Sequence, residues 1–523
     1  MAANSTPVLL VTANVGSIFE DPEVMLKIWT AEFLSQIARL EPKFIALHCQ
    51  EVGGKNYEQS MKHVDHFVNL LLSSEQLRLF DKVRVYLDED YSSAEKFTAL
   101  GSFYFVHKSL TDVLIWDFKE ATFVPVADKE VHSGSIEDVA TKEKSKFPQD
   151  FFPECKWSRK GFLRTRWNLS GTVFDLINIH LFHDASNFVA MESAPSEYCK
   201  NRRRALEHLL ERFHSDGLDC TPFFLFGDFN FRTETHEVVK KLSEGLIAVP
   251  TFKYNNADEC TKMHYQNEES EVVLSLGKKE FCHVDHQNIF LDKNGEWLRV
   301  FDKELEPFNK DLFEFNISFP PSYPFEEDER GARCYMQTRC PAWCDRVLMS
   351  HSARQLIQEP SESGKALEYY LMGQNTCMGD HKPVYLKMWV LPEQAGEVFC
   401  KRRPPSSMSS SPCCPEVGGR PLVRAQSGGV ERPAHALANA KCRCLSEPAW
   451  QSSPSRHRLI SSDTVRRQLS RFSSHHSSSD EDWFEVVDPN IGGEEVFLPA
   501  DTKTLDERPP SPKIRPNKCC TLL

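Results

Sequence analysis

The segment Phe226-Gly227-Asp228-Phe229-Asn230-Phe231-Arg232 sets a carboxylate and an amide two positions apart behind an apolar run. Side chains alternate along a strand, so Asp228 and Asn230 project to the same side. A carboxylate there can orient or deprotonate a water, and the amide can hold a phosphate oxygen or the attacking water. Taken alone, the pattern also suits an Asx turn after a strand. A second box, Arg339-Cys340-Pro341-Ala342-Trp343-Cys344-Asp345-Arg346-Val347-Leu348, opens an apolar strand with an acid. Such an acid is costly to bury without a partner. A third box, Gly379-Asp380-His381-Lys382-Pro383-Val384, offers one. Asp345 paired with His381 would fix the ring tautomer and raise its basicity, which suits phosphate-ester chemistry.

These boxes need elements to carry them. Val8 to Val11 is an apolar run that predicts a buried strand with Asn14 at its tip, and Phe44 to Leu47 predicts another that leads to Glu51. Asp21-Pro22 predicts an N-cap and first helical residue, continued at helical spacing by Ile28, Trp29, Phe33, Ile37 and Leu40. A further helix is expected over Tyr57 to Phe80, and another over Ala194 to Phe213. Strands are expected at Val83 to Leu87, Leu100 to Val106, Thr172 to Ile179, Phe223 to Phe226, Cys344 to Met349 and Val384 to Val390. The apolar strands end in polar residues, at Asn14, Glu51, His180 and Asp228, and strand ends are where sites assemble in layered folds. Strands outnumber helices and several are adjacent. The expected fold is therefore α+β, a four-layer β-sandwich flanked by helices, rather than a doubly wound parallel sheet.

The chain has 523 residues, and residues 1–392 read as one globular catalytic domain large enough to bury a core without disulfide staples. From 393 to 523 Ser, Pro, Arg and His dominate and apolar periodicity is lost, which predicts a disordered tail. The formal net charge of -13 argues against general nucleic-acid binding, which leaves a basic footprint. The 17 cysteines show no paired C-x-x-C spacing, so no zinc site is expected and the thiols read as reduced. Met1 to Thr6 offers no basic segment ahead of an apolar run, and no stretch of about 18 apolar residues appears, so the chain reads as cytosolic without a membrane span.

With the three boxes in this order, the chain resembles the inositol polyphosphate 5-phosphatases, in the superfamily that includes pancreatic-type DNase and apurinic endonucleases. Residues 227–232 and 341–346 match that family's Gly-Asp-x-Asn-x-Arg and Pro-Ser/Ala-Trp-Cys-Asp-Arg signatures, and the resemblance spans residues 7–392. The stretch from Phe147 to Trp167, with Cys155-Lys156-Trp157-Ser158-Arg159-Lys160-Gly161, points to the type I subgroup acting on soluble inositol phosphates. The resemblance implies a DNase-like fold and Mg2+ held by Glu51 and Asn14. It implies a phosphate contact from His180, a water oriented or activated by Asp228, and a phosphate held by Asn230. Asp345 would orient His381, and Asp380 would lie beside the metal and its waters. Magnesium prefers a few hard oxygen ligands, which this set supplies, and a cationic His381 or His180 would stabilise transition-state charge.

Arg159, Lys160, Arg164 and Arg166 form a cationic cluster that could clamp the 1- and 4-phosphates of an inositol ring, the alternative being a solvated basic face. Arg346 and Lys382, inside the second and third boxes, are further candidate substrate contacts. Phe319-Pro320-Pro321-Ser322-Tyr323-Pro324 resembles the segment that contacts the 4-phosphate in lipid-cleaving members, with Tyr323 as the candidate contact. Many of those carry a lysine where Pro324 stands here, which favours a soluble substrate. The implied activity removes the 5-phosphate of inositol 1,4,5-trisphosphate and 1,3,4,5-tetrakisphosphate and ends a calcium-mobilising signal. The alternatives are a phosphoinositide phosphatase, a nuclease or other phosphodiesterase of the superfamily, and a non-catalytic membrane-anchored scaffold.

The chain ends Lys518-Cys519-Cys520-Thr521-Leu522-Leu523, with Cys520 fourth from the end as prenylation requires. A terminal Leu points to geranylgeranyl, and Cys519 offers a palmitoyl site, which together predict attachment to the cytoplasmic face of the plasma membrane. Trp483-Phe484-Glu485-Val486 after the acidic Asp480-Glu481-Asp482 resembles the short motif that docks on ubiquitin-like autophagy adaptors by adding a strand to their sheet.

Overall fold

A strand buried on both faces is mostly apolar, and Phe44–Gln50 is of that kind: every residue is buried, and its polar His48 and Gln50 lie toward the end that leads to Glu51. The computed structural model describes residues 5–151, 158–214, 221–253, 256–359 and 367–392. The predicted tail, the prenylation and palmitoylation sites Cys520 and Cys519, the Trp483–Val486 motif and Cys155-Lys156-Trp157 lie outside these residues.

In chain order the strands are β1 (Thr6–Asn14), β2 (Phe44–Gln50), β3 (Lys82–Leu87), β4 (Gly101–Val106), β5 (Val113–Asp117), β6 (Thr122–Pro125), β7 (Lys129–His132), β8 (Glu143–Lys146), β9 (Gly161–Leu169), β10 (Thr172–His180), β11 (Phe223–Asp228), β12 (Ile247–Lys253), β13 (Asn256–Gln266), β14 (Val272–Gly277), β15 (Glu280–His283), β16 (Leu312–Phe313), β17 (Asp345–Ser350), β18 (Glu368–Leu371) and β19 (Val384–Val390). One sheet has the order β18-β19-β1-β2-β4-β3-β7, and the second β16-β17-β11-β10-β9-β5-β6 with β8 also on β9. A smaller sheet, β12-β13-β14-β15, is hydrogen-bonded to neither among the described residues.

The cores show four layers. Leu10, Ala46, Leu176 and Phe224 share a core between the two large sheets. Trp29, Phe33 and Ile37 of the helix Pro22–Leu40 pack with Leu9, Val11 and Ile45 outside the first sheet. Ala205, Leu206 and Leu209 of the helix Glu197–His214 pack with Ile177, Ile179 and Leu225 outside the second. Burying each large apolar side chain contributes about 1.5–3 kcal/mol, so these contacts fix how the sheets stack. The expected sandwich with outer helices is the observed fold.

Two local expectations change. Asp21 holds the N-cap position before Pro22, but its side chain makes no capping bond. The single helix expected over Tyr57 to Phe80 is broken into Tyr57–Ser60, a 3-10 turn at Met61–His63, Val64–Leu72 and a 3-10 turn at Glu75–Leu77. Serine hydroxyls compete for the backbone there: Ser60 Oγ donates to Gly53 O at 2.5 Å, Ser73 Oγ to Asn69 O at 2.6 Å and Ser74 Oγ to Leu71 O at 2.8 Å.

Candidate active site

One parallel strand pair in each large sheet, β1 with β2 and β10 with β11, sets the register that assembles the polar residues. In the first sheet β1 runs parallel to β2 with Asn14 opposite Gln50. In the second, β10 runs parallel to β11 with His180 opposite Asp228, and antiparallel β17 places Asp345 opposite Asp228 on the other side. Gly227 makes this approach possible, because a Cβ there would meet the Ile179 carbonyl oxygen at 1.9 Å. Polar bonds join the sheets at this end: Asn14 Nδ2 donates to Asp228 Oδ2 at 3.1 Å, and Gln50 Nε2 to Asn178 Oδ1 at 2.7 Å.

Asp228 is the hub. Its Oδ1 accepts from the Asn230 backbone N–H at 2.8 Å, and its Oδ2 accepts from Asn230 Nδ2 at 3.2 Å. His180 Nε2 lies 3.4 Å from the same Oδ2 and His381 Nε2 lies 4.0 Å from it. Burial alone would raise the Asp228 pKa, but His381 and His180 outweigh burial and hold it far below the ordinary carboxylate range. A carboxylate so acidic is a weak base, so this geometry suits orienting a water and balancing cations better than abstracting a proton.

Two like carboxylates face each other at Asp228 and Asp345, and His381 separates them. His381 Nδ1 is 2.9 Å from Asp345 Oδ2, which also accepts from Ser322 Oγ at 2.8 Å. Burial would lower the imidazole pKa, but Asp345, Asp228 and Asp380 outweigh it and raise it to about 10. Burial pushes the Asp345 carboxyl up to about 6, against the pull of His381. Between these values the pair is carboxylate and imidazolium, and Nε2–H faces the hub as a charged donor. The other histidine differs: burial and the neighbouring Lys160 lower the His180 pKa, so its ring is neutral at physiological pH. Lys160 Nζ is in contact with His180 Nε2 and lies 3.9 Å from Glu51 Oε1. Of the two histidines, His381 carries the cationic role.

Glu51 follows β2 with a positive φ of 57°. A Cβ on Gly16 would fall 2.6 Å from Glu51 Oε2 and 3.3 Å from Asn14 Oδ1. The missing side chain thus leaves a niche where two hard oxygens converge. Asn14 gives its Nδ2 to Asp228, and its Oδ1, which accepts from the Gly16 N–H at 3.0 Å, keeps a second lone pair at the edge of this niche. Burial would raise the Glu51 pKa, but Arg159, Lys160 and His180 outweigh it and keep the carboxylate ionised. An ionised carboxylate and an amide oxygen fit a small hard cation such as Mg2+. Asp228, Asp345 and His381 also place ligand atoms within 4.8 Å of one another, but His381 Nδ1 is engaged by Asp345 there. Asp380 stands beside the niche: Ser17 Oγ is 2.5 Å from Asp380 Oδ1 and 2.5 Å from Glu327 Oε1, and Glu327 pairs with Lys55 at 2.9 Å.

The structure thus brings Asn14, Glu51, Lys160, His180, Asp228, Asn230, Asp345, Asp380 and His381 together, and Tyr323 joins them with its ring 4.5 Å from that of His381. Four expected substrate contacts are corrected. Arg164 and Arg166 both bond the buried Asp175, at 2.6 Å each, and Arg164 also bonds Glu143 at 3.1 Å. They neutralise an acid inside the sheet and do not form a phosphate clamp. Arg346, one residue past Asp345, points to the opposite face of β17 and pairs with Glu314 at 2.6 Å and Asp302 at 3.1 Å. Lys382 is buried, and its Nζ donates to the carbonyls of Gly373 and Thr376. Asn230 is also differently engaged: its Nδ2 is used on Asp228 and on Leu181 O at 2.9 Å, so in this state it positions Asp228. Ser322, Ser17 and Arg232 were not singled out from the sequence, although Ser322 and Arg232 stand inside segments that were.

Residues 284–387 match the family model described as Endonuclease/Exonuclease/phosphatase family 2. The chain is 50% identical over 393 residues to inositol polyphosphate-5-phosphatase A of Homo sapiens, an overlap of 75% of this chain and 95% of that protein. It is 35% identical over 412 residues to the probable type I inositol 1,4,5-trisphosphate 5-phosphatase of Caenorhabditis elegans, covering 72% of this chain and 98% of that protein. Among solved structures it is similar to the inositol polyphosphate 5-phosphatase domain of SPsynaptojanin in complex with inositol (1,4)-bisphosphate and calcium ion, at 13% identity and a TM-score of 0.39, covering 74% of this chain and 84% of that one.

Proposed function

The chain belongs to the inositol polyphosphate 5-phosphatase family, and from that premise we propose that it is a Mg2+-dependent enzyme acting on the 5-phosphate of soluble inositol 1,4,5-trisphosphate and 1,3,4,5-tetrakisphosphate. The observation that carries the reading is the hub at Asp228, held by Asn14 and Asn230, with His180 beside it and the Asp345-supported His381 facing it. Asp228 orients the water that attacks phosphorus. The His381 imidazolium places a charged N–H where negative charge grows on the phosphoryl oxygens. The ester bond to the ring oxygen breaks, giving inorganic phosphate and the ring alcohol. When bound at Glu51 and Asn14, Mg2+ supplies charge neutralisation on the phosphate. Lys160, next to His180, adds a second cation to the same wall.

Pro324 supports a soluble substrate over a lipid, since it stands where many lipid-cleaving members carry a lysine. Removal of this substrate would end a calcium-mobilising signal. The complete polar set argues against a non-catalytic scaffold. The test is phosphate release from both soluble inositol phosphates, from phosphoinositides and from abasic DNA, with Mg2+ or with EDTA. We expect release from the soluble substrates first, lost in EDTA. Release from none, or equal release by Asp228→Ala, would sink the reading.

The same proposal places the enzyme at the cytoplasmic face of the plasma membrane through a prenyl group on Cys520, helped by palmitoyl on Cys519, with Trp483 and Val486 as anchors for an autophagy-adaptor sheet edge. The support is the spacing of these residues in the sequence. Cys520→Ser should move the protein to the soluble fraction of lysed cells, and Trp483→Ala should abolish adaptor pull-down. Unchanged fractionation or unchanged pull-down removes the corresponding part.

A further inference from the structure

Arg232 is 8% exposed, and among the described residues no carboxylate oxygen lies within 4.0 Å of its guanidinium. Its Nη1 is buried and has no hydrogen-bond partner. A buried arginine without an ion pair is costly to keep, so its remaining contacts indicate what it does. Nη2 donates to Asn230 Oδ1 at 2.7 Å, and Nε donates to Asn230 O at 3.2 Å. The guanidinium carbon Cζ lies over the Tyr323 ring, 4.5 Å from its centroid, and that ring lies 4.5 Å from the ring of His381.

These contacts have a directional consequence. A guanidinium only donates, so the group it meets on Asn230 must be the carbonyl oxygen. The Asn230 amide nitrogen is thereby turned to Asp228 Oδ2 and Leu181 O. Without that donor the amide oxygen and the Asn230 backbone carbonyl lose a shared brace, so the amide can tilt out of line with Asp228 Oδ2. The same guanidinium braces Tyr323 by a cation–π contact, and Tyr323 in turn braces the His381 ring. Asp228 and His381 come from different strands and loops, and Arg232 touches a neighbour of each.

We infer that Arg232 is a positioning residue that sets the Asn230 amide on Asp228 and, through Tyr323, fixes the His381 ring opposite it. The inference rests on the phosphatase reading for its kinetic consequence, but its geometric consequence can be tested without it. A lysine keeps the charge but cannot bond Oδ1 and stack on Tyr323 in one plane. Misplacing reacting groups by about 1 Å costs about 10²-fold in rate. Arg232→Met and Arg232→Lys should therefore both lower kcat by about 10²-fold with little change in KM. In the double variant with Asn230→Ala, the loss should fall short of the product of the two single losses by at least about 10-fold, because one of the two routes by which Arg232 acts runs through that amide. A merely structural role would give losses that multiply. A crystal structure of Arg232→Lys should show the Asn230 amide rotated away from Asp228. An unmoved amide overturns the inference whatever the activity. A kcat within about 3-fold of the parent, or multiplicative losses, overturns it in an enzyme whose Asp228→Ala control is dead. If the parent releases no phosphate, the functional reading fails and the amide orientation alone decides this one.

Discussion

Asp228→Asn should lower kcat by about 10³-fold or more, a loss of roughly 4 kcal/mol of transition-state stabilisation. Asn14 and the Asn230 backbone N–H bond different oxygens of Asp228, so the single asparagine oxygen keeps one of these bonds and loses the other. The three apolar cores are untouched, so the fold should keep a cooperative melting transition. What also disappears is the charge. Asp228 is the second support of the His381 cation after Asp345, so the variant also weakens the charged donor that faces the phosphate. Inorganic phosphate release measured beside a thermal melt checks this. A variant within about 10-fold of the parent would show that the hub is not at the reacting centre.

The second large effect concerns the His381–Asp345 pair. His381→Ala should lower kcat by about 10³-fold, within the range for loss of a positioned acid or base. The pH dependence follows from the signs of the two shifts. Burial raises Asp345 to about 6, so its carboxylate holds Nδ1–H above that pH and releases it as pH falls through about 6. Burial opposes the His381 cation, but Asp345, Asp228 and Asp380 raise its pKa to about 10, so the ring loses its proton as pH rises through about 10. Activity should rise through about 6, hold a plateau, and fall through about 10. Asp345→Asn removes the acid limb. It also removes the main support of the imidazolium, so the alkaline limb should move to lower pH. Profiles of kcat/KM for parent and variant decide the matter. An Asp345→Asn profile superimposable on the parent's would contradict the pairing.

Much of this site is legible from the chain because strand ends are. Asn14, His180 and Asp228 each terminate an apolar run, and the register of two parallel pairs then does the assembly. Asp345 and His381 are legible as a pair because a buried acid needs a partner. The cationic residues were harder to read. Arg164 and Arg166 look like a clamp because their partner, Asp175, sits on the next strand, where only the hairpin register brings it near. The lone acid inside Thr172 to Ile179 was the signal for that pairing. Arg346 could have been placed by strand parity, since it must point away from the face that holds Asp345. The Tyr57 to Phe80 segment has apolar residues at helical spacing, but its serines bond the backbone and break it into short turns.

β1 is flanked by β2 on one side and by β19 on the other, and His381 precedes β19 by only three positions. During synthesis the first strand therefore emerges early and waits for a neighbour near residue 390. At about 5–20 residues per second that wait is roughly 20 to 80 s. Through it one edge of β1 stays unpaired, a surface that invites wrong pairing unless something shields it. The nascent chain is thus catalytically silent until almost the whole core has been made, and a fragment that stops short of Val384 should be both inert and prone to aggregate.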